Sequence, residues 1–315
     1  MNRRAPLALL AVSLSLAVAC GGDDPTDSAA KSGSPLDAPM TKGAKGFCAL
    51  LAKCSPTFAE IYFGSDETKC AERERSTVLD GLAQPGVQVT PTTLDACAEE
   101  GIQGGCDELF KLLGGNDDPD SCKVPGKLAD GAACAYPLQC ASGNCARGTT
   151  PSACGVCAPR NPAGGSCVED SDCAYGHACA EKVCVPFGTT GASCDDKHPC
   201  LPTLRCDGTC KPPLGEGEAC KNVTGDCDLY ARGLACVGGT CQKVTFVGEG
   251  EDCGVTSGKP IACSSGSCKP SLLKGTCFKN AKDGEACDPF LGADCDFHAS
   301  CIDGKCVPLF SQKCE

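Results

Sequence analysis

Two textures divide the chain. Between Phe47 and about Cys122 large apolar side chains cluster at helical spacing, among them Leu50, Leu51, Phe58, Ile61, Tyr62 and Phe63. Ser55-Pro56 predicts an N-cap followed by proline in the first helical turn, and Gly64 predicts its C-terminal stop. Ser65 is the expected cap of a second helix over 66–78 that carries Cys70. Pro85-Gly86 marks a turn, Thr90-Pro91 opens a third helix with Leu94 and Cys97, and 106–113 forms a fourth, ended by Gly114-Gly115. The expectation is a small antiparallel helical unit over 47–126 whose apolar residues form its own core. Its six cysteines (Cys48, Cys54, Cys70, Cys97, Cys106, Cys122) allow three staples, in pairings the sequence leaves open.

Beyond residue 127 the helical period disappears and glycine and cysteine recur instead. Gly-x-x-Cys opens six units, at Cys134, Cys167, Cys194, Cys220, Cys253 and Cys287, 26 to 34 residues apart. Units this short cannot bury a useful apolar core, so disulfides must hold their shape. Counted from these openings, the units hold 5, 4, 4, 4, 4 and 5 cysteines. In an array where each unit touches only its neighbours, odd units at opposite ends are hard to satisfy. A frame that ends each unit on the next opening cysteine is even throughout. Its first unit is Cys134, Cys140, Cys145, Cys154, Cys157 and Cys167. Next come Cys173, Cys179, Cys184, Cys194, then Cys200, Cys206, Cys210, Cys220, then Cys227, Cys236, Cys241, Cys253. The last two are Cys263, Cys268, Cys277, Cys287 and Cys295, Cys301, Cys306, Cys314.

Within a unit, Cys301-Ile-Asp-Gly-Lys-Cys306 predicts a tight hairpin turning at Asp303-Gly304. The two cysteines then share a face, which favours interleaved 1–3 and 2–4 bridges. The segments 254–262 and 269–276 should bulge from this frame as contact surfaces. The expected fold is therefore a small disulfide-rich repeat array of short β-hairpins and loops over 127–315, preceded by a small disulfide-stapled all-α domain.

Composition agrees with a covalent scaffold. Cysteine supplies 33 of 315 residues, aromatic content is 4% and tryptophan is absent. A net charge of −12 argues against nucleic acid, whose phosphates need a basic face.

The N-terminus has the form of a leader over 1–19. Asn2-Arg3-Arg4 is a positive start, and 5–16 is an apolar run too short to span a bilayer. Leu16-Ala17-Val18-Ala19-Cys20 resembles a bacterial lipobox, in which the cysteine becomes the lipidated N-terminus. Ala17-Val18-Ala19 also fits A-x-A cleavage for ordinary secretion. The first reading anchors the protein to a membrane through lipid on Cys20. Gly21 in place of the inner-membrane Asp signal implies, by the same resemblance, an outer-membrane lipoprotein of the cell envelope, facing periplasm or cell surface. Residues 20–46, rich in Gly, Ser, Ala, Pro and Asp, are expected to be a flexible tether.

The run Cys167-Val-Glu-Asp-Ser-Asp-Cys173, with Gly176, Cys179, Cys184 and Val185-Pro186, resembles the Dickkopf N-terminal cysteine-rich motif. Gly131-Ala-Ala-Cys134 with Cys140-Ala-Ser-Gly-Asn-Cys145 is similar to it. Such an array behind a helical cysteine-bearing domain is similar to cysteine-rich lipoproteins of myxobacterial type. What the resemblance implies is an extracellular binding module.

No catalytic motif accompanies this frame. Cys154-Gly-Val-Cys157 lacks the βαβ setting of a redox pair and the second ligand pair of a zinc site, so a structural bridge is expected. His177, His198 and His298 lie far apart and are expected on the surface. Residues 116–120 carry clustered acids without the spacing of an EF-hand and are expected to be a solvated loop. Asn222-Val-Thr224 fits a glycosylation acceptor but is incidental in a bacterial lipoprotein. The expected function is non-catalytic and cofactor-free: binding or adhesion to a protein or glycan, with protease inhibition as the alternative.

Overall fold

A computed structural model describes residues 34–113, 118–146, 154–221, 225–269 and 274–314. The leader, Cys20, the first part of the expected tether, Gly114-Gly115, Asn116-Asp117 and Asn222–Thr224 lie outside the described residues.

Five helices form a hub: α1 (Asp37–Cys54), α2 (Pro56–Phe63), α3 (Glu67–Leu82), α4 (Pro91–Gln103) and α5 (Gly105–Leu113). The first corrects the tether, because α1 begins ten residues before the expected boundary at 47, with Pro39, Met40 and Ala44 buried. The small residues that suggested a leash are what let α1 and α4 approach. A Cβ on Gly46 would stand 2.1 Å from Ile102 Cδ1, and one on Gly43 3.1 Å from Ala98 Cβ. Ser55 and Pro56 hold the positions expected at the start of α2, although the Ser55 hydroxyl makes no capping bond, and Gly64 ends the helix in the left-handed region (φ 63°). The cap of α3 is Asp66 rather than Ser65: its carboxylate accepts from the Thr68 and Lys69 amides at 2.9 and 3.0 Å. Ser65 is itself left-handed (φ 59°), and its hydroxyl donates to Glu60. Thr90 and Thr93 form a reciprocal capping box on α4. Three disulfides staple the hub, Cys48–Cys70, Cys54–Cys106 and Cys97–Cys122, around a core that includes Leu51, Phe63 and Leu109.

The six repeats share one construction. Each opening glycine (Gly131, Gly164, Gly191, Gly217, Gly250, Gly284) is left-handed, with φ between 78° and 90°. Its amide donates at 2.8 Å to the carbonyl of the unit's last bridged cysteine: Cys157, Cys184, Cys210, Cys241, Cys277 or Cys306. A side chain at any of these glycines would meet no neighbour within 4 Å, so glycine is required there for φ and not for space. Two crossed disulfides then close each repeat, first to third and second to fourth among its bridged cysteines counted from the opening one. They are Cys134–Cys145 with Cys140–Cys157, Cys167–Cys179 with Cys173–Cys184, and Cys194–Cys206 with Cys200–Cys210. The others are Cys220–Cys236 with Cys227–Cys241, Cys253–Cys268 with Cys263–Cys277, and Cys287–Cys301 with Cys295–Cys306. In the even-parity frame the 1–3 bridges form as expected, as in Cys173–Cys184, but the 2–4 bridges do not, because Cys179 pairs back to Cys167 and Cys194 forward to Cys206.

The strands are short. β1 (Ala133–Cys134), β2 (Cys145–Ala146) and β3 (Gly155–Cys157) make the first sheet, in order β1-β3-β2. Hairpins follow: β4 (His177–Ala180) with β5 (Val183–Pro186), β6 (Arg205–Cys206) with β7 (Cys210–Lys211), and β8 (Leu234–Val237) with β9 (Thr240–Lys243). A single helical turn, α6 (Leu229–Arg232), precedes β8. The fifth repeat is larger: β10 (Thr245–Val247), β11 (Asp252–Thr256), β12 (Lys259–Cys263), β13 (Gly266–Lys269) and β14 (Lys274–Lys279) form a sheet in order β10-β12-β11-β14-β13. β15 (Ala299–Ile302) and β16 (Lys305–Pro308) form the last hairpin, with Cys301 opposite Cys306 and both Asp303 and Gly304 at positive φ, as expected.

The even-parity frame is corrected. Every bridged unit keeps the Gly-x-x-Cys frame, and the two odd cysteines, Cys154 and Cys314, pair with each other across 160 residues. The premise that a unit touches only its neighbours fails, because the array folds back on the hub. From the sixth repeat, Phe297 enters the hub core, its ring 5.1 Å from Tyr62, 5.5 Å from Phe63 and 5.6 Å from Phe58. Arg73 on α3 donates to the Phe297 carbonyl at 2.6 Å and makes a bidentate pair with Asp283. His298, expected on the surface, is largely covered, packs on Phe297 and meets Glu74 of α3 at 2.8 Å. Tyr136 of the first repeat packs against Gly81 of α3 and, at 4.7 Å, the Phe310 ring. The Ser55 hydroxyl donates to the Tyr230 carbonyl of α6, and the Ser265 amide donates to the Glu60 carbonyl.

Two outcomes follow from this seam. Cys154–Cys314 closes a long loop, shortened by the bridges inside it, so replacing both cysteines by serine should cost about 4 kcal/mol. Guanidinium unfolding of the oxidised protein checks this, with amide exchange rising first in the sixth repeat. Asp80 and Asp296 beside the seam are both held above the ordinary carboxylate range, chiefly by burial, with Asp283 adding to the rise. Both carboxyls therefore keep protons to higher pH in the folded chain, and the stability this gives is lost as pH rises through their folded values. Asp80→Asn with Asp296→Asn should raise the guanidinium midpoint at about pH 7 and leave it unchanged at about pH 3.

Candidate functional site

The residues singled out for chemistry are dispersed. Cys154 and Cys157 do not bridge each other: they pair with Cys314 and Cys140. His177 Nδ1 lies 2.9 Å from the Tyr175 carbonyl, and His198 pairs with Asp195. Sulfur atoms do gather within each repeat, as at Cys134, Cys140 and Cys157. Those sulfurs belong to crossed disulfides, and it is the thiolate that ligates a metal. Among the described residues no helix is long and apolar enough to cross a membrane.

The expected contact segments are also displaced. Residues 254–262 do not bulge; most of them pair as β11 and β12 within the five-stranded sheet. Of 269–276, Lys269 is buried and 274–276 belong to β14, while 270–273 lie outside the described residues. The exposed surface lies one repeat later.

In β13 and β14 Cys268 faces Cys277, and both turn toward the sulfur core of the fifth repeat. By strand alternation their neighbours Lys269 and Phe278 occupy the opposite face. Residues 288–294 cover that face. The Lys269 ammonium, on a residue only 7% exposed, donates to the Pro289 carbonyl and to Asp294 at 3.0 Å. The Asp288 carboxylate accepts from the Phe290 and Leu291 amides at 2.9 and 3.0 Å, and these two bonds hold it below the ordinary carboxylate range. Main-chain bonds from Asp288 N to Ala293 O and from Gly292 N to Asp288 O close the turn. On this pinned backbone Phe290 and Leu291 stand 56% and 67% exposed. The sequence did carry a signal here. Adjacent large apolar residues in a turn between Cys287 and Cys295 are out of keeping with the small and polar residues around them.

A second feature belongs to the hub. Between α1, α3, α4 and the first repeat lies a cleft of about 390 Å³, with Met40, Phe47, Leu94, Ile102 and Leu138 among its walls. Its ionisable lining is Glu74, Asp118 and Tyr136. Burial pushes the Tyr136 phenol up, and the two carboxylates push it further. Asp118, in the expected acidic loop, accepts from the Tyr175 hydroxyl. Burial first, and then that bond, push the Tyr175 phenol up to about 12.

No family model and no solved structure matches the chain. Among curated proteins, 107 residues are 35% identical to "Disintegrin and metalloproteinase domain-containing protein B" of Aspergillus fumigatus. The match covers 32% of this chain and 12% of the fungal protein. A disulfide-rich fold built of small sheets, of the extracellular type and consistent with a binding module, is what sequence and structure share.

Replacing Lys269 by Met should free the 288–294 turn, because the Pro289 carbonyl and Asp294 lose a common donor. Asp294 is partly solvated, so the stability loss should be about 1–2 kcal/mol. Amide exchange at Phe290 and Leu291 should accelerate while the hub amides keep their protection.

Proposed function

We propose that the protein is a non-catalytic extracytoplasmic lipoprotein, held to the cell envelope through Cys20, which binds a partner protein by the outer face of its fifth and sixth repeats. The observation that carries this reading is the pair Phe290 and Leu291, displayed on a turn fixed by Lys269 and Asp288. Scattered exposed apolar residues are ordinary in soluble proteins, but two adjacent large ones held outward on a pinned turn are out of the ordinary and support a contact site. A rigid loop also loses little conformational entropy on binding. Anchoring rests on the lipobox resemblance, and the extracellular binding role agrees with the Dickkopf-like spacing. The 107-residue likeness to a protein named for a disintegrin domain agrees with binding and carries no activity across. Protease inhibition is the weaker reading, because the 288–294 turn is closed on itself by main-chain bonds, whereas a protease grips an extended segment.

Labelled full-length protein should bind saturably to cells of its native host. Phe290→Ser with Leu291→Ser should weaken that binding roughly tenfold or more without changing the unfolding midpoint. Unchanged affinity would remove the partner from this face. Mass spectrometry of unreduced protein from the host should find acyl groups on Cys20; an unmodified Cys20 would end the anchoring proposal and leave the docking face standing.

A further inference from the structure

We propose that the hub cleft is a binding site for a single-chain amphiphile whose head donates hydrogen bonds, an alcohol or an amine. This site is separate from the docking face and does not depend on it.

Its volume, about 390 Å³, falls within the roughly 300–1,000 Å³ of sites that enclose small molecules. Its construction is unlike that of a closed core. α4 has no buried residue along its length, although Leu94, Ala98 and Ile102 all line the cleft. Its midpoint is joined by Cys97–Cys122 to the segment that supplies Asp118 and Pro119, so one edge of the cleft is covalently framed. The opposite wall is α1, brought close by Gly43 and Gly46. Apolar walls of this extent select a hydrocarbon body.

The polar groups choose the head. The lining contains two carboxylates, Glu74 and Asp118, with the Tyr136 phenol near both, and no Lys, Arg or His. Glu74 meets His298 at 2.8 Å, and Asp118 accepts from the Tyr175 hydroxyl. Each ionised carboxylate can accept further bonds beyond these. The cations near Asp118 sit outside the lining, Lys123 at 5.8 Å and Arg160 at 4.4 Å over the Tyr175 ring. A fatty carboxylate or a phosphate head would meet like charge at short range, whereas a hydroxyl or ammonium would meet acceptors.

The test uses full-length, disulfide-intact protein and the uncharged dye Nile red. Dye uptake should saturate, and both dodecanol and dodecylamine, below their micelle-forming concentrations, should displace it. Dodecanoate should do so roughly tenfold less well or worse. Gly101→Phe supplies the structural control. Gly101 lines the cleft within α4, and a Cβ there meets nothing within 4 Å, so a side chain can start into the cleft without a backbone clash. Replacing glycine within a helix also favours folding. This variant should weaken dye uptake about tenfold or more. Asp118→Asn should narrow the gap between dodecanol and dodecanoate. The proposal is overturned by absent or non-saturating uptake, by failure of either dodecanol or dodecylamine to compete, or by equal competition from dodecanoate. It is equally overturned if Gly101→Phe leaves uptake unchanged.

Discussion

Two crossed disulfides about a left-handed glycine form the constraint on which everything else in this molecule rests. The glycine turns the chain so that its amide reaches the carbonyl of the last bridged cysteine, 2.8 Å away in all six repeats. That bond sets the first segment of the repeat beside the last, and the two bridges lock it there. The closed loops span 10 to 17 residues. Loops of this size each contribute on the order of 3 kcal/mol by restricting the unfolded chain, on the entropic account. In most repeats the sulfurs themselves fill the centre: Cys134, Cys140 and Cys157 are fully buried, and Leu128 alone joins their cluster as an apolar neighbour.

Crossed bridges shape a repeat but cannot position one repeat against another. That task falls to the helices, whose buried apolar cluster is larger than that of any repeat among the described residues. Phe297 enters the hub among Phe58, Tyr62 and Phe63, and Tyr136 lies flat on Gly81, so single aromatic residues act as plugs for whole repeats. Around each plug a few directional bonds fix orientation, as with Arg73 on Asp283 and on the Phe297 carbonyl. Since the first and last repeats both seat on α3, the chain beyond Cys154 returns close enough for Cys314 to bridge it. The long-range disulfide is thus a result of docking, and it makes the docked arrangement hard to reverse.

Much of this was legible because some constraints leave a local mark. A positive φ demands glycine, so the six openings can be seen without a structure, and Asp303-Gly304 declares its hairpin in the same way. Proline in a first turn, after Ser55 in one case and Thr90 in the other, locates α2 and α4. What escaped depends on partners far along the chain. Gly43 and Gly46 look like linker residues until Ile102 and Ala98 are set against them. Cys154 and Cys314 look like errors of parity until the hub brings their repeats together. Lys269 looks like a surface cation, yet it is the buried donor that holds a turn from the next repeat.

The docking face and the cleft differ for a reason that follows from the same division of labour. A repeat without an apolar core gives an exposed Phe or Leu nothing to collapse into. Its covalent frame can therefore display Phe290 and Leu291 outward, at little risk to its own fold. The hub is the reverse case: it has apolar surface to spare and only three staples, so a gap between its helices is lined by side chains such as Met40 and Leu94. Convex apolar contacts consequently belong to the repeats and concave ones to the helices. The proposed partner protein would therefore meet the sixth repeat across a flat surface, whereas the proposed amphiphile, which needs enclosure, would enter beneath α4.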